Sequence, residues 1–213
     1  MSNAPGWPTG RGERERLGGD LWGVIESLPY LADLGVNTLH LTPVGYSHSA
    51  HRYDAISPLR VDPALGGEPA LQALLTAAHR RGLRVLMDLV LTHVHRDFLP
   101  FCDVRERGWD SPYATFFQLY RHPFSAGPYP GYHHYQKGQW QEPLLNLDSD
   151  AVAAYLVEQC VHWVRLGADG LRLDAVAEVP LGLVRLLRAA VRAVRPDAVL
   201  LGELTPANTY RYT

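Results

Sequence analysis

Gly167-Ala168-Asp169-Gly170-Leu171-Arg172-Leu173-Asp174-Ala175-Val176 is the stretch around which the chain is organised. It predicts a short buried strand that ends on the carboxylate of Asp174. Side chains two residues apart on a strand face the same side, so Arg172 and Asp174 should lie together. A guanidinium beside a carboxylate holds it ionised and fixes its orientation, as a catalytic nucleophile requires. A structural ion pair at a strand end would give the same pattern, and this segment alone does not separate the two interpretations.

A second apolar run, 199–202, ends on the carboxylate of Glu203. Between the two runs, apolar residues keep helical spacing at Leu183, Leu187, Ala190, Val191 and Val194. One helix and one strand therefore separate Asp174 from Glu203, which predicts that both lie at the carboxyl ends of neighbouring parallel strands. Two carboxylates at that end of a β/α sheet suggest glycoside hydrolysis, with one as nucleophile and the other as acid/base.

Upstream of these runs, helical and strand spacing alternate along the chain. Asp20 is predicted to cap a helix that Pro29 kinks or restarts. Leu34 is predicted to continue the apolar face of this helix, and Gly35 to end it. The elements predicted after it are the strand 36–41, the helix 68–81, the strand 83–90 and the helix 150–166. The alternation predicts a parallel sheet with right-handed crossovers.

The composition narrows the possible partners and compartment. A net charge of −2 gives no reason to expect nucleic acid or a membrane surface as a partner. No run is long enough to span a bilayer. Cys102 and Cys160 lack metal-ligand spacing and are expected to be free thiols, which indicates a reducing, cytoplasmic location. His133 and His134 have no third ligand, so no metal site is predicted.

The pattern Gly-x-Arg-x-Asp at 170–174, followed by a strand that ends in Glu, resembles the α-amylase family of glycoside hydrolases. Further upstream, Met87-Asp88-Leu89-Val90-Leu91-Thr92-His93 resembles the family's Asp-x-Val-x-Asn-His. The resemblance implies that Asp88 supports the site and that His93 hydrogen-bonds the sugar. The family's Asn often binds calcium, and because Thr92 replaces it we expect neither calcium nor another cofactor.

Other segments resemble one branch of that family. His51-Arg52-Tyr53-Asp54 is similar to the loop in which a tyrosine stacks on the sugar ring, a role that the resemblance gives to Tyr53; a tyrosine packed beneath the loop is the alternative. Segments 110–117 and 142–147 resemble the branch of neopullulanases, cyclomaltodextrinases and maltogenic amylases. The segment 174–179 resembles its Asp-Val-Ala-Asn-Glu-Val, so the implied substrate-binding residues are Tyr53, His93, Arg172, Asp88 and Glu178.

The resemblance implies a retaining mechanism on an α-glucan or maltooligosaccharide. Asp174 would attack the anomeric carbon, and Glu203 would protonate the leaving oxygen and then activate water or an acceptor sugar. Arg172 is expected to keep Asp174 ionised. Burial near the substrate is expected to raise the pKa of Glu203, and the neighbouring Leu201 and Leu204 are consistent with such burial.

The fold that the resemblance implies is α/β, a partial (β/α)8 TIM barrel comprising about strands 2 to 5. The connection between the strand at 83–90 and the helix at 150–166 is too long for an ordinary loop, so a small excursion domain is predicted after the third barrel strand. Its aromatic residues could form a sugar-binding wall or the excursion's own core. The predicted divisions are a flexible leader at 1–19, the barrel part at 20–93 and 149–213, and the excursion at 94–148.

Three hypotheses follow. A third family carboxylate, in a His-Asp pair after the seventh strand, has no counterpart here, so the chain is expected to be part of an active enzyme with little turnover of its own. Alternatively, a natural half-barrel binds carbohydrate or assembles with another chain through its exposed sheet edges, by self-association for example. In the third, the protein is another β/α enzyme and the motif match is accidental.

Overall fold

Four parallel strands form the central sheet of the computed structural model, which describes residues 18–135 and 139–204. The strands are hydrogen-bonded in the order β1 (Thr38–Leu41), β4 (Arg84–Leu89), β5 (Gly170–Leu173) and β6 (Val199–Gly202). Two further strands, β2 (Gly45–Tyr46) and β3 (Ser57–Val61), form a separate antiparallel ribbon. The predicted parallel sheet is confirmed, while most of the predicted leader, 1–17, and positions 205–213 lie outside the described residues.

Five α-helices accompany the sheet within the described residues: α1 (Leu21–Asp33), α2 (Gly67–His79), α3 (Leu99–Arg107), α4 (Asp150–Arg165) and α5 (Leu181–Val194). The predicted cap of α1 is confirmed, because Asp20 Oδ1 accepts a hydrogen bond from the Gly23 amide at 2.9 Å. Pro29 was expected to kink or restart the helix; the restart is wrong, because α1 continues through this exposed proline. Leu34 was expected to face inward but is 65% exposed, because it lies at the C-cap, where the helical spacing no longer applies.

The core lies between the helices and the sheet. From Val85 to Leu89, β4 is buried throughout, as expected for a parallel strand covered on both faces. The helices contribute fully buried side chains to this core, among them Leu71, Leu74, Leu156, Trp163, Leu187 and Val191. Packing at this density fixes the position of β5 and therefore the position of the carboxylate that follows it.

The amino end of β5 is anchored by Asp169. Its Oδ2 accepts a hydrogen bond from the Val85 amide at 2.8 Å and lies 2.7 Å from His79 Nε2. Its other oxygen pairs with Arg195, which follows α5. One buried carboxylate thus connects β4, β5 and the ends of two helices.

The segment between β4 and α4 contains α3, short turns and isolated β-bridges. A cluster of aromatic rings packs at its centre, with Phe101 4.8 Å from both Phe117 and Tyr132 between ring centroids. Trp109 and Tyr129 are instead 59% and 77% exposed. The aromatic residues therefore divide between a small core and the surface, and α3 was not predicted because its mean apolar character is low. Among the described residues, no helix is both long and apolar enough to cross a membrane.

Candidate active site

Arg172 on β5 lies between three carboxylates. The register of the parallel strands pairs Arg172 with Asp88 on β4, so both side chains project from the same face. Arg172 Nη1 donates to Asp88 Oδ1 at 2.8 Å and to Asp174 Oδ1 at 2.6 Å. Arg172 Nη2 lies 2.9 Å from Glu203 Oε2. The predicted contact between Arg172 and Asp174 is confirmed, and it belongs to a larger cluster of charges.

Asp88 is the most deeply buried member of this cluster. Its side chain is 0% exposed. The Tyr53 hydroxyl donates to Asp88 Oδ2 at 2.9 Å, and His40 Nε2 lies 3.2 Å from the same oxygen. Burial and the hydrogen bond to Asp88 raise the pKa of Tyr53 to about 12, so the phenol stays protonated as a donor. His40 was not predicted, although it is the last residue but one of β1. It pairs with Leu86 on β4, two residues before Asp88, so His40 and Asp88 project from the same face of the sheet.

Asp174 and Glu203 follow neighbouring strands, as predicted. Their backbone amides continue the sheet, with Asp174 N donating to Leu89 O at 2.9 Å and Glu203 N donating to Leu173 O at 3.0 Å. After Asp174 the chain turns sharply, because Ala175 adopts the left-handed conformation with φ 44° and ψ 39°. This turn directs the Ala175 amide to Glu203 Oε2 at 3.1 Å.

The protonation balance of the two carboxylates differs from the expectation. Burial raises the pKa of Asp174 to about 6, although Arg172 acts to lower it. The pKa of Glu203 is lowered, chiefly by the hydrogen bond from the Ala175 amide, which outweighs the opposing effect of burial, and further by Arg172. The upward shift predicted for Glu203 depends on burial near a substrate, whereas here its side chain is 50% exposed at the outer strand of the described sheet. Leu201, expected to help bury it, is itself 50% exposed.

His93 forms the opposite wall of the site. Its ring stacks on Tyr135 with a centroid distance of 4.1 Å and an interplanar angle of 19°. Nδ1 lies 2.9 Å from Thr92 Oγ1, and Nε2 lies 3.9 Å from Glu142 Oε2. Burial lowers the pKa of His93 to about 4, which keeps the imidazole neutral and able to donate one hydrogen bond. Tyr135 and Glu142 were not assigned to the site from the sequence, because their placement depends on the path of the long segment after β4.

These groups surround an open cleft of about 310 Å³. Its lining residues are His51, Tyr53, His93, Tyr135, Gln139, Glu142, Arg172, Asp174 and Glu203. Asp88 lies beneath the cleft, in contact with Arg172 and Tyr53. Glu178 does not line it: its exposed side chain lies on the 3-10 turn Val176–Glu178, which follows the left-handed residue Ala175. The structure thus brings together six of the seven residues predicted for the site.

The arrangement suits chemistry on a neutral polyhydroxylated ligand. It offers two carboxylates that contact one guanidinium, a neutral imidazole and two tyrosine rings in a cavity of ligand size. Aromatic faces can stack on the apolar faces of a sugar ring, while carboxylate and imidazole groups hydrogen-bond its hydroxyls. Thr92, which replaces the family's Asn, contacts His93 through its hydroxyl.

Comparisons with known proteins agree with this chemistry. Residues 2–204 match the family model of the α-amylase catalytic domain. The chain is 36% identical to a cyclomaltodextrinase of Thermoanaerobacter pseudethanolicus, over 88% of this chain and 33% of that protein. It is 37% identical to neopullulanase 2 of Thermoactinomyces vulgaris, over 88% of this chain and 32% of that protein.

A solved structure, the debranching enzyme of Nostoc punctiforme, superposes with a TM-score of 0.83 at 37% identity. This match covers 87% of the chain and 39% of that structure. The chain therefore spans about a third of the length of the curated relatives it matches. Because the family model covers nearly all of the sequence, the chain belongs to the α-amylase catalytic-domain family.

Proposed function

We propose that this protein hydrolyses or transfers α-glucosidic bonds of α-glucans or maltooligosaccharides by a retaining mechanism. Asp174 is the nucleophile and Glu203 the acid/base. The observation that carries the proposal is the convergence of Asp88, Asp174 and Glu203 on the guanidinium of Arg172 at the carboxyl edge of a parallel sheet. The similarity to a cyclomaltodextrinase and a neopullulanase supports the α-glucan substrate class.

The reaction proceeds in two steps. Asp174 attacks the anomeric carbon while the protonated carboxyl of Glu203 gives its proton to the leaving oxygen. The carboxylate of Glu203 then takes a proton from water, or from an acceptor sugar, which displaces Asp174 from the glycosyl-enzyme. Substrate entering the cleft displaces water from Glu203 and competes for Arg172, and both effects raise the pKa of Glu203 towards the acid form that the first step needs.

The remaining residues bind and orient the sugar. Tyr53 presents its ring to the cleft while its hydroxyl is held by Asp88. His93 donates to a sugar hydroxyl as a neutral imidazole, which Tyr135 holds in a fixed plane. Glu178, assigned from the resemblance, keeps its predicted binding role for a sugar that extends beyond the cleft.

The proposal also assigns the four parallel strands to positions in a barrel. β1, β4, β5 and β6 correspond to about the second to fifth strands of a (β/α)8 barrel, with the barrel part at 20–93 and 149–213. The segment 94–148 is the excursion domain after the third barrel strand. The two outer strands of the described sheet, β1 and β6, are the proposed edges for self-association, which light scattering of the purified protein would detect.

Release of reducing ends from maltooligosaccharides tests the proposal. Asp174→Asn and Glu203→Gln should each lower the rate, the latter by about 10²–10⁴-fold because it removes general acid/base catalysis. Asp33→Asn and Glu26→Gln, the same exchanges at exposed positions of α1, are the matched controls and should leave the rate unchanged. NMR of the first product should show retention of the anomeric configuration. An unchanged rate in Asp174→Asn, or inversion, would refute the assignment.

A carbohydrate-binding or assembly role is the second candidate. The lining of the cleft favours it, because the rings of Tyr53 and Tyr135 and the imidazole of His93 can hold a sugar without any proton transfer. Calorimetry with maltooligosaccharides separates the two candidates. Heat of binding without any release of reducing ends would support this second candidate over catalysis.

A further inference from the structure

A second cluster of polar side chains lies beside the catalytic cleft. His48 follows β2, whereas His95 and Asp97 follow β4, and His48 and Asp97 are 49 residues apart in the sequence. His48 Nε2 lies 3.3 Å from Asp97 Oδ2, and His95 Nδ1 lies 3.5 Å from the same oxygen. One ligand atom from each residue lies within 4.8 Å of the other two. Two separate loops thus bring two imidazoles and a carboxylate to one point.

The two shortest distances match the geometry of a bound transition metal. Ligand atoms about 2.0–2.1 Å from a tetrahedral zinc ion are about 3.3–3.4 Å from each other. His95 is buried, which fixes one ligand in place. The side chains of His48 and Asp97 are 58% and 41% exposed, so these two ligands have room to shift towards an ion.

The hydrogen bonds of the cluster prepare the ligand atoms. The Asp97 amide donates to His95 Nδ1 at 3.1 Å, so Nδ1 presents a lone pair and Nε2 carries the proton. Metal binding at Nδ1 would exchange this hydrogen bond for a metal–nitrogen bond. Arg105 Nη1 lies 3.4 Å from Asp97 Oδ1 and orients the carboxylate so that Oδ2 faces both imidazoles.

We propose that His48, His95 and Asp97 bind a divalent transition metal ion of the zinc class. Two imidazole nitrogens and one carboxylate oxygen suit zinc, whereas calcium and magnesium prefer oxygen ligands throughout. Three protein ligands leave a coordination position for water. All three residues line a cavity of about 680 Å³, which can supply that water.

A metal at this point would act on the neighbouring cleft through its walls. The cavity shares His51, Gln139 and Glu142 with the catalytic cleft. The metal would connect the loop that carries Tyr53 to the loop that carries His93, and so hold both walls of the cleft at a fixed separation. This inference goes beyond the proposed glycosidase activity and does not depend on it.

Direct metal binding by the full, tag-free chain tests the proposal. After removal of metals with a chelator, Zn²⁺ is titrated by calorimetry and Co²⁺ by its visible absorption, with Ca²⁺ as the comparison ion. We expect one equivalent of Zn²⁺ or Co²⁺, with a tetrahedral cobalt spectrum, and weaker binding of Ca²⁺. His48→Ala and Asp97→Asn should each weaken Zn²⁺ binding by more than about 100-fold, since loss of an outer-shell partner alone costs 10–100-fold.

Two controls make the test specific. His133→Ala removes an exposed histidine outside the cluster and should leave Zn²⁺ binding unchanged. Zn²⁺ should raise the unfolding temperature of the unaltered chain but not of Asp97→Asn, which keeps the size of the side chain and one acceptor oxygen but removes the charge. Three results would overturn the proposal. They are no binding of Zn²⁺ or Co²⁺, binding of Zn²⁺ by His48→Ala and Asp97→Asn as tight as by the unaltered chain, and tighter binding of Ca²⁺ than of Zn²⁺.

Discussion

Replacement of Arg172 by methionine should destabilise the fold as well as disturb the cleft. The side chain of Arg172 is 12% exposed, and that of its partner Asp88 is not exposed at all. Methionine has a similar length but removes both N–H contacts to Asp88, at 2.8 and 3.0 Å. The charge of Asp88 would then be left with the Tyr53 hydroxyl and His40, of which neither is a permanent cation.

The expected loss follows from this burial. Removing one partner of a buried ion pair costs about 3–5 kcal/mol, because the other charge stays desolvated without compensation. The contact of Arg172 with the half-exposed Glu203 adds less than about 1 kcal/mol, since solvent screens it. With a urea dependence of about 2 kcal/mol per molar, a loss of 3–5 kcal/mol lowers the unfolding midpoint by about 1.5–2.5 M.

Urea unfolding, followed by circular dichroism, measures this loss in a double-mutant cycle. The four proteins are the unaltered chain, Arg172→Met, Asp88→Asn and the double variant. Because the two side chains contact each other, the double variant should lose at least about 1 kcal/mol less than the sum of the single losses. Arg172→Lys keeps the charge but not the planar fork, so it should fall between the unaltered chain and Arg172→Met.

Two results would refute this reasoning. A loss below about 1 kcal/mol in Arg172→Met would mean that Asp88 is solvated and does not depend on Arg172 as a buried charge. Strict additivity in the cycle would mean that Arg172 and Asp88 do not interact in solution.

Three further predictions concern protonation and packing. The side-chain carboxyl of Asp174 should titrate near its raised pKa of about 6, as measured by carbon NMR. The stabilisation that this shift gives the folded state should be full below pH 3.8, the ordinary pKa, and lost as the pH rises through about 6. A titration near 3.8 would contradict the burial argument. His93, with a pKa lowered from 6.5 to about 4, should change stability in the opposite direction. The stabilisation that this shift gives the folded state is full above pH 6.5 and lost as the pH falls through about 4. Nitrogen NMR should show a neutral ring between these two pH values. Gly170→Ala should lower the free energy of unfolding by about 1–3 kcal/mol, since the new Cβ would lie 2.2 Å from the Val199 carbonyl oxygen. Gly182→Ala, where nothing lies within 4 Å, is its matched control in thermal unfolding and should show no loss.

The sequence predicted the positions of side chains correctly where those positions follow from the spacing of residues within one or two elements. Arg172 and Asp174 share a face because they are two residues apart on a strand, and the register confirms this. Glu203 lies beside Asp174 because one helix and one strand separate them. The same spacing failed at Leu34, where the helix had already ended.

Features that depend on the path of long loops could not be read from spacing. His48 meets Asp97 only because two loops converge, and no local pattern relates residues 49 positions apart. The pKa of Glu203 depends on which elements cover β6 and on the amide of Ala175, so a neighbouring leucine in the sequence was a poor guide to burial. Tyr135 reached the cleft in the same way, through the irregular segment after β4.

The buried Asp169 at the amino end of β5 has a consequence for how such a site can evolve. Asp169 and Asp174 are five residues apart on an extended chain, or roughly 16 Å. Groups at that separation, without shared partners, contribute independently to the free energy of unfolding. The anchor formed by His79, Arg195 and the Val85 amide therefore holds the amino end of β5 independently of the carboxylate at its far end. Substitutions of the carboxylate that follows β5 can alter specificity or abolish chemistry while this anchor stays intact. The activity can therefore change in evolution while the fold is kept.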